Sequence, residues 1–456
     1  MIGPEPTPKH ISVIDVGKTN AKLALVDSET LSEIAVVTRP NTVIDAAPYP
    51  HFDLEGHWAF FLENLAAFHK SHGVDAISIT THGASVVLLD KAGDLATPML
   101  DYEHDGPDEC AEAYTIIRPD FAETGSPRLP GGLNVGAQLH WLFERDPTLL
   151  DRTAHVITYP QYWAYRLTGQ WACDVTSLGC HTDLWNPWSG QPSTLVATLG
   201  LSDKLAPALP SSHVLGVITA ETAAKTGLRA TTPVVCGIHD SNASLVPYLQ
   251  GDMDTFSVVS TGTWVVAMAL NGGDVKLDPA RDTLVNVNAV GAPVPSARFM
   301  GGREYEIIRD ASTVEPSEQD RMTVLQNKIM LLPAVEPNSG PYSGRVFSWS
   351  NPPRSDGERI YALSLYLALM TQTCLDLIGA KGPTLVEGPF ARNADFLDML
   401  AVLRPNGVGA ASSKTGTSLG AAMLVSPSEM PPVHMQDRPE FAPLLARYAE
   451  SWHALL

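Results

Sequence analysis

Positive charge is what this chain is short of: 30 Lys and Arg stand against 50 Asp and Glu, a formal net charge of −20. A nucleic-acid backbone or an anionic membrane surface needs clustered cations, so both are excluded as expected partners. Cysteine is also scarce. The five present, Cys110, Cys173, Cys180, Cys236 and Cys374, are odd in number and scattered, without the paired spacing of a zinc site. Reduced thiols are expected. No run approaches the ~20 apolar residues that a membrane span needs, and the first ten residues are polar and proline-rich, unlike a signal segment. The expected location is the cytoplasm.

What is present is a well-packed composition, 44% apolar and 18% charged, over 456 residues. That length exceeds what one core usually organises, so two domains are expected. Residues 11–15, 21–26 and 34–38 are short β-branched-rich runs separated by turn residues, which predicts an antiparallel meander. Trp58, Phe61, Leu62, Leu65 and Phe68 follow helical spacing, and strands are expected at 76–80 and 86–89. Together these describe the opening of an α/β domain with a mixed sheet.

Residues 108–210 are less regular and suggest an insertion covering the first sheet, with helices at 138–144 and 161–167. A polar stretch at 230–233 precedes a new strand at 234–237, which places the domain boundary between 232 and 233. The second half, 233–456, is expected to repeat the design. It offers a helix at 356–377, a strand at 384–387, helices at 393–403 and 418–425, and a closing helix carrying Phe441, Leu444, Leu445, Tyr448 and Leu455.

Two turns could hold phosphate. The first, Asp15-Val16-Gly17-Lys18-Thr19-Asn20, sets a carboxylate, a glycine and hydroxyl and amide donors between two apolar strands. Gly17-Lys18-Thr19 is not a Walker A loop, because that pattern needs a glycine five positions before Gly17, where Ser12 stands. Asp15 could hold a hydrated metal ion while Gly17, Thr19 and Asn20 bring donors to phosphate oxygens. A plain hairpin using positive φ at Gly and Asn explains the turn equally well. The second turn, Ser260-Thr261-Gly262-Thr263-Trp264, is read the same way, and one such turn per half suggests a cleft between domains. Gly237-Ile238-His239-Asp240-Ser241-Asn242-Ala243 adds a carboxylate directly after a strand, where an Asp also serves as an ordinary helix cap. Phosphoryl transfer to an alcohol needs a carboxylate near the acceptor, donors around the phosphate and a metal to offset charge.

This ordered set resembles the FGGY family of carbohydrate kinases, in particular its L-fuculose and L-rhamnulose kinase branch, over nearly the whole chain. The resemblance rests on 15–22, 237–243, 260–264, and Leu385-Val386-Glu387-Gly388 continuing through 393–399 to Leu419-Gly420-Ala421-Ala422. It implies two actin/RNase H-like ATPase domains with a cleft between them, ATP and Mg²⁺ as cofactors, and a small sugar as substrate. It implies further that Asp15 positions the magnesium ion and that Asp240 is the general base. Gly17, Thr19 and Asn20 would face the β- and γ-phosphates, Gly262 and Thr263 the γ-phosphate, and Gly388 the adenosine, although Glu387 stands where the family usually has glycine. His82 and Asp105 are the implied sugar contacts, and a 6-deoxy ketose the implied acceptor. Another ketopentose or polyol, or a sugar-responsive regulator without transfer, are the alternatives. Oligomeric state is not written in the sequence; a homodimer is the working expectation.

Overall fold

The computed structural model describes residues 8–251, 253–411, 416–428 and 433–456. The chain forms two compact units. The first comprises Met1–Gly251 with the returning segments Val285–Pro293 and Lys414–Met430; the second comprises Asp252–Leu284, Val294–Ser413 and Pro431–Leu456.

In the first unit the predicted meander forms. His10–Val16 pairs antiparallel with Asn20–Asp27, which pairs antiparallel with Ser32–Pro40. On its other side His10–Val16 runs parallel to Ala76–Thr81, placing Asp15 opposite Thr80. Ala76–Thr81 is also parallel to Pro233–Val235 and, further along, to Ile238–His239, with His239 opposite Thr81. The three strands therefore stop at one level, and the residues leaving them, Asp15, His82 and Asp240, share the carboxyl edge of the sheet. Ligands of open α/β sheets bind at such edges. His10–Val16 is buried at every position after His10, Ser12 and Asp15 included, as expected of a strand covered on both faces.

Two expectations need correction. The strand at 233–235 belongs to the first sheet, so the contact-based border falls at Gly251/Asp252 and not at 232/233. The helix Thr417–Met423, expected in the second half, packs on His10–Val16 and Ala76–Thr81 within the first unit. Ser78 Oγ donates to Ala421 O at 2.6 Å. A Cβ on Gly420 would overlap the Ala243 carbonyl, so glycine there permits the helix to press against Asp240–Ala243.

The second unit has a seven-stranded mixed sheet whose central strands are Val265–Leu270, Phe256–Thr261, Thr384–Glu387 and Val408–Ala410. Phe256–Thr261 is antiparallel to the first and parallel to Thr384–Glu387. The 22-residue helix Asp356–Leu377 has the length and mean hydropathy (1.3) of a membrane span, an exception to the expectation drawn from the sequence, yet 89% of that apolar window is buried inside the protein. It is the central core helix of its unit, enclosed by Phe396, Leu400, Tyr448 and Trp452.

Candidate active site

Asp15 is 8% exposed at the end of its strand. Its Oδ2 accepts from Thr417 Oγ1 at 2.6 Å and Ser418 Oγ at 3.3 Å, and Lys22 Nζ lies 3.1 Å away. Lys22 is held between Asp15 and Glu33, and both carboxylates offset the burial that opposes its charge. Neither Thr417 nor Ser418 could be found from sequence, because some 400 positions separate them from Asp15.

The turn after Asp15 is a hairpin, with Gly17 N–H donating to Asn20 O at 2.9 Å. Neither Gly17 nor Asn20 has positive φ, so the plain-hairpin explanation loses its premise. A Cβ on Gly17 would meet only Asn20 O at an ordinary 3.6 Å. Nothing within the unit demands glycine here. Thr19 and Asn20 are exposed beside it.

Asp240 opens the short helix Asp240–Ala243 and accepts from Ser241 N–H at 2.6 Å. Burial pushes its carboxyl up to about 6, and the Asp15 charge adds to this. His82 is buried among Phe52, Tyr102 and Tyr159, whose ring centroids lie 5.2, 5.1 and 5.1 Å from its own. Burial pulls it down to about 4, so it is neutral at pH 7. Its Nδ1 donates to Gly83 O at 2.9 Å, which leaves Nε2 as the acceptor nitrogen, buried and without a partner. A buried acceptor left open suits a substrate hydroxyl.

The acidic sugar contact expected at Asp105 is not in this cluster: its side chain is 94% exposed and only 3.7 Å from His104 Nδ1. Asp101, four residues earlier, is buried and pairs with Lys18, whose ammonium also lies 3.2 Å from Glu103. Lys18 Nζ stands 4.7 Å from the Tyr102 ring centre and 5.1 Å from that of Phe52. Asp101 shares the acidic run that drew attention to Asp105, and Lys18 lies inside the first turn. Both were in view, and only the direction of their side chains was not.

In the second unit the turn at Gly262 and the loop at Gly388 meet. Thr261 Oγ1 donates to Glu387 O at 2.5 Å and accepts from Phe390 N–H at 3.0 Å. Gly262 and Thr263 are exposed; Gly262 has no positive φ, and a Cβ there would meet only Trp264 O at 3.9 Å. Gly388 differs, since φ is +83° and a Cβ would overlap Thr261 O. Gly302 likewise must lack a Cβ because the Gly262 carbonyl occupies that space. The helix Gly301–Arg309 is therefore seated on the turn at Gly262. A cavity of about 930 Å³ extends from Gly262 and Thr263 past Arg303, Tyr305 and Arg309 to Phe390, large enough for a nucleoside triphosphate. Pro389 and Phe390 line it, whereas Gly388 sits behind them.

Residues 10–247 match the N-terminal domain of the FGGY family of carbohydrate kinases, and 253–432 match the FGGY C-terminal domain. The chain belongs to the FGGY family of carbohydrate kinases, whose members are sugar phosphotransferases. A carbohydrate kinase from Novosphingobium aromaticivorans of known structure is 37% identical, with a TM-score of 0.91 over 97% of this chain and 99% of that one. The L-fuculokinase of Salmonella typhi is 26% identical over 272 residues, 58% of this chain and 57% of the relative. The L-xylulose/3-keto-L-gulonate kinase of Escherichia coli (strain K12) is 28% identical over 281 residues, 57% of this chain and 54% of the relative. The chain thus spans little more than half the length of these curated relatives.

Proposed function

We propose that this chain is an ATP- and Mg²⁺-dependent kinase that transfers the γ-phosphoryl group to a hydroxyl of a ketose, of the L-fuculose or L-rhamnulose type. The supporting observation is the grouping of Asp240, His82 and Asp15 at one sheet edge, with the Asp240 carboxyl raised toward neutrality and His82 Nε2 open. In this reading Asp240 is the general base and His82 Nε2 accepts a second sugar hydroxyl. The acidic contact passes from Asp105 to Asp101, held by Lys18. Gly17, Thr19 and Asn20 face the β- and γ-phosphates, Gly262 and Thr263 the γ-phosphate, and the adenosine lies against Phe390, which Gly388 sets in place.

Asp15 fits a magnesium ion of the kind nucleotides carry: it offers one carboxylate, and among the described residues no three metal-binding side chains cluster. Mg²⁺ commonly takes one or two protein carboxylates and completes its shell with phosphate and water. Bound there, the ion would offset phosphate charge. Transfer through a loose transition state asks the protein mainly for positioning, and a base is needed late. Asp240 at about 6 is ionised at pH 7 yet close enough to neutrality to accept a proton.

A kinase of another ketopentose is the second reading, favoured by the similarity to L-xylulose kinases. The test is coupled ADP release over L-fuculose, L-rhamnulose, L- and D-xylulose, polyols and the corresponding aldoses. Stimulation by a ketose supports the reading; stimulation by none removes it in favour of a sugar-responsive regulator. Substituting Lys18→Met is expected to raise the sugar KM by about 10-fold while leaving the ATP KM unchanged, the usual loss for one charged hydrogen bond. An equal rise in both would place Lys18 on the phosphates instead. The same reading carries a cytoplasmic location, where ATP is supplied, and a homodimer, to be checked by light scattering.

A further inference from the structure

The helix Gly301–Arg309 holds the turn at Gly262 through its own first amides: Gly302 N–H and Arg303 N–H both donate to Thr263 O, at 3.1 and 3.4 Å. The buried face of this helix consists of Gly301, Glu304 and Ile308. A glycine and an isoleucine are ordinary there. Glu304 is not, since it is fully buried and no Lys or Arg among the described residues pairs with it. Both of its oxygens are hydrogen-bonded instead. Oε1 accepts from Glu336 N–H at 3.0 Å, and Oε2 accepts from Tyr366 O–H at 3.0 Å. Tyr366 is 1% exposed and stands midway along the core helix Asp356–Leu377.

A leucine at this position would fill the same space at lower cost, because a carboxyl taken into the core gives up its water and regains only what its hydrogen bonds return. What a leucine lacks is direction. A packed apolar side chain tolerates small slides and rotations of its helix, whereas a carboxyl held by a backbone N–H on one oxygen and a phenol on the other favours a single placement. Two residues away that placement is critical: a Cβ on Gly302 would come within 2.0 Å of Gly262 O, so helix and turn already touch.

We propose that Glu304, fixed by Tyr366 and the Glu336 amide, is a positioning residue for the Gly262–Thr263 turn: it sets the helix whose first amides hold Thr263 O, and thereby where the turn meets the γ-phosphate. This rests on the kinase reading above. Glu304 itself does not line the 930 Å³ cavity, whereas Gly302 and Arg303 do. It acts through them, as partners behind a functional group orient it without touching the ligand.

The test measures binding before turnover, on the full chain with Mg²⁺, using AMP-PNP, which carries a γ-phosphoryl group, and AMP, which lacks one. Glu304→Leu is expected to weaken AMP-PNP binding about 10-fold and to leave AMP binding unchanged. With ATP and the best ketose of the screen it should lower kcat about 10–100-fold at an unchanged sugar KM. Tyr366→Phe removes a single oxygen and should shift the same quantities in the same direction by a smaller factor; it carries the test where the leucine variant does not fold. Glu304→Gln should retain wild-type values. Its carbonyl accepts from Glu336 N–H and its amide donates to the Tyr366 oxygen, and burial has already brought the native carboxyl up to about 7, so the uncharged form is accommodated. A purely structural role would lower stability in Glu304→Leu while the ratio of AMP-PNP to AMP affinity and the kcat of the folded protein stayed constant. That result overturns the proposal, as does a glutamine variant no better than the leucine one. Failure of the kinase reading is distinguishable: the wild type then binds AMP-PNP no more tightly than AMP, or no ketose stimulates its turnover.

Discussion

Replacing Asp240 with Asn is expected to lower kcat by about 10²–10⁴-fold, the range for losing a general base. The amide is nearly isosteric and keeps the Ser241 N–H bond at Oδ1, so sugar and ATP binding should change little. The wild-type profile should fall on its acidic side near the Asp240 value of about 6 and be flat above it, and the variant's residual rate should lack that limb. The substitution should also stabilise the protein. The folded pKa lies above the ordinary 3.8, so the folded state holds the proton more tightly than the unfolded one. The associated stability is complete below 3.8 and lost as pH rises through about 6. At pH 8 the wild type therefore carries a penalty of roughly 1–3 kcal/mol that Asn removes. Thermal denaturation at pH 5 and pH 8 checks this: the gain in Tm should appear at pH 8 and shrink at pH 5. A gain of the same size at both values would mean that charge burial is not its source, and sugar-stimulated turnover surviving in Asp240→Asn would remove Asp240 as base.

Much of the frame was legible because it follows from local pattern. Alternation and β-branched runs gave the meander, helical spacing gave Leu54–His72, and the order of the turns gave the family. What was not legible depends on which strand a segment joins. The strand at 233–235 has no mark in its own sequence to say that it completes the first sheet, so the domain border was drawn too early. Thr417–Met423 returns to the first unit after about 150 residues of the second, and small residues such as Gly420 announce close packing without saying against what. The Asp101 and Asp105 exchange is of another kind. Both carboxylates occupy one acidic run, and no spacing rule tells the side chain paired with Lys18 from the one facing solvent.

Glycine substitutions separate fold from ligand binding with the second large effect. Gly388→Ala is expected to destabilise the protein by about 2–5 kcal/mol, because φ +83° with ψ −160° is a region nearly confined to glycine and a Cβ would overlap the Thr261 carbonyl. Thr261 Oγ1 anchors both Glu387 and Phe390, so the strain would also displace the Phe390 wall of the 930 Å³ cavity. Gly17→Ala and Gly262→Ala should behave in the opposite way. Neither residue has positive φ and neither Cβ meets an atom closer than 3.6 Å, so stability should change by no more than about 0.5 kcal/mol. Yet under the proposed function turnover should fall on the order of 100-fold, since a methyl group on a turn facing phosphate would displace the transferring group by about 1 Å. Chemical denaturation and ADP release, measured on the three variants side by side, decide the matter. Full activity in folded Gly17→Ala and Gly262→Ala would show that these turns do not approach phosphate, and a loss of stability in them equal to that of Gly388→Ala would show that the fold itself requires glycine there.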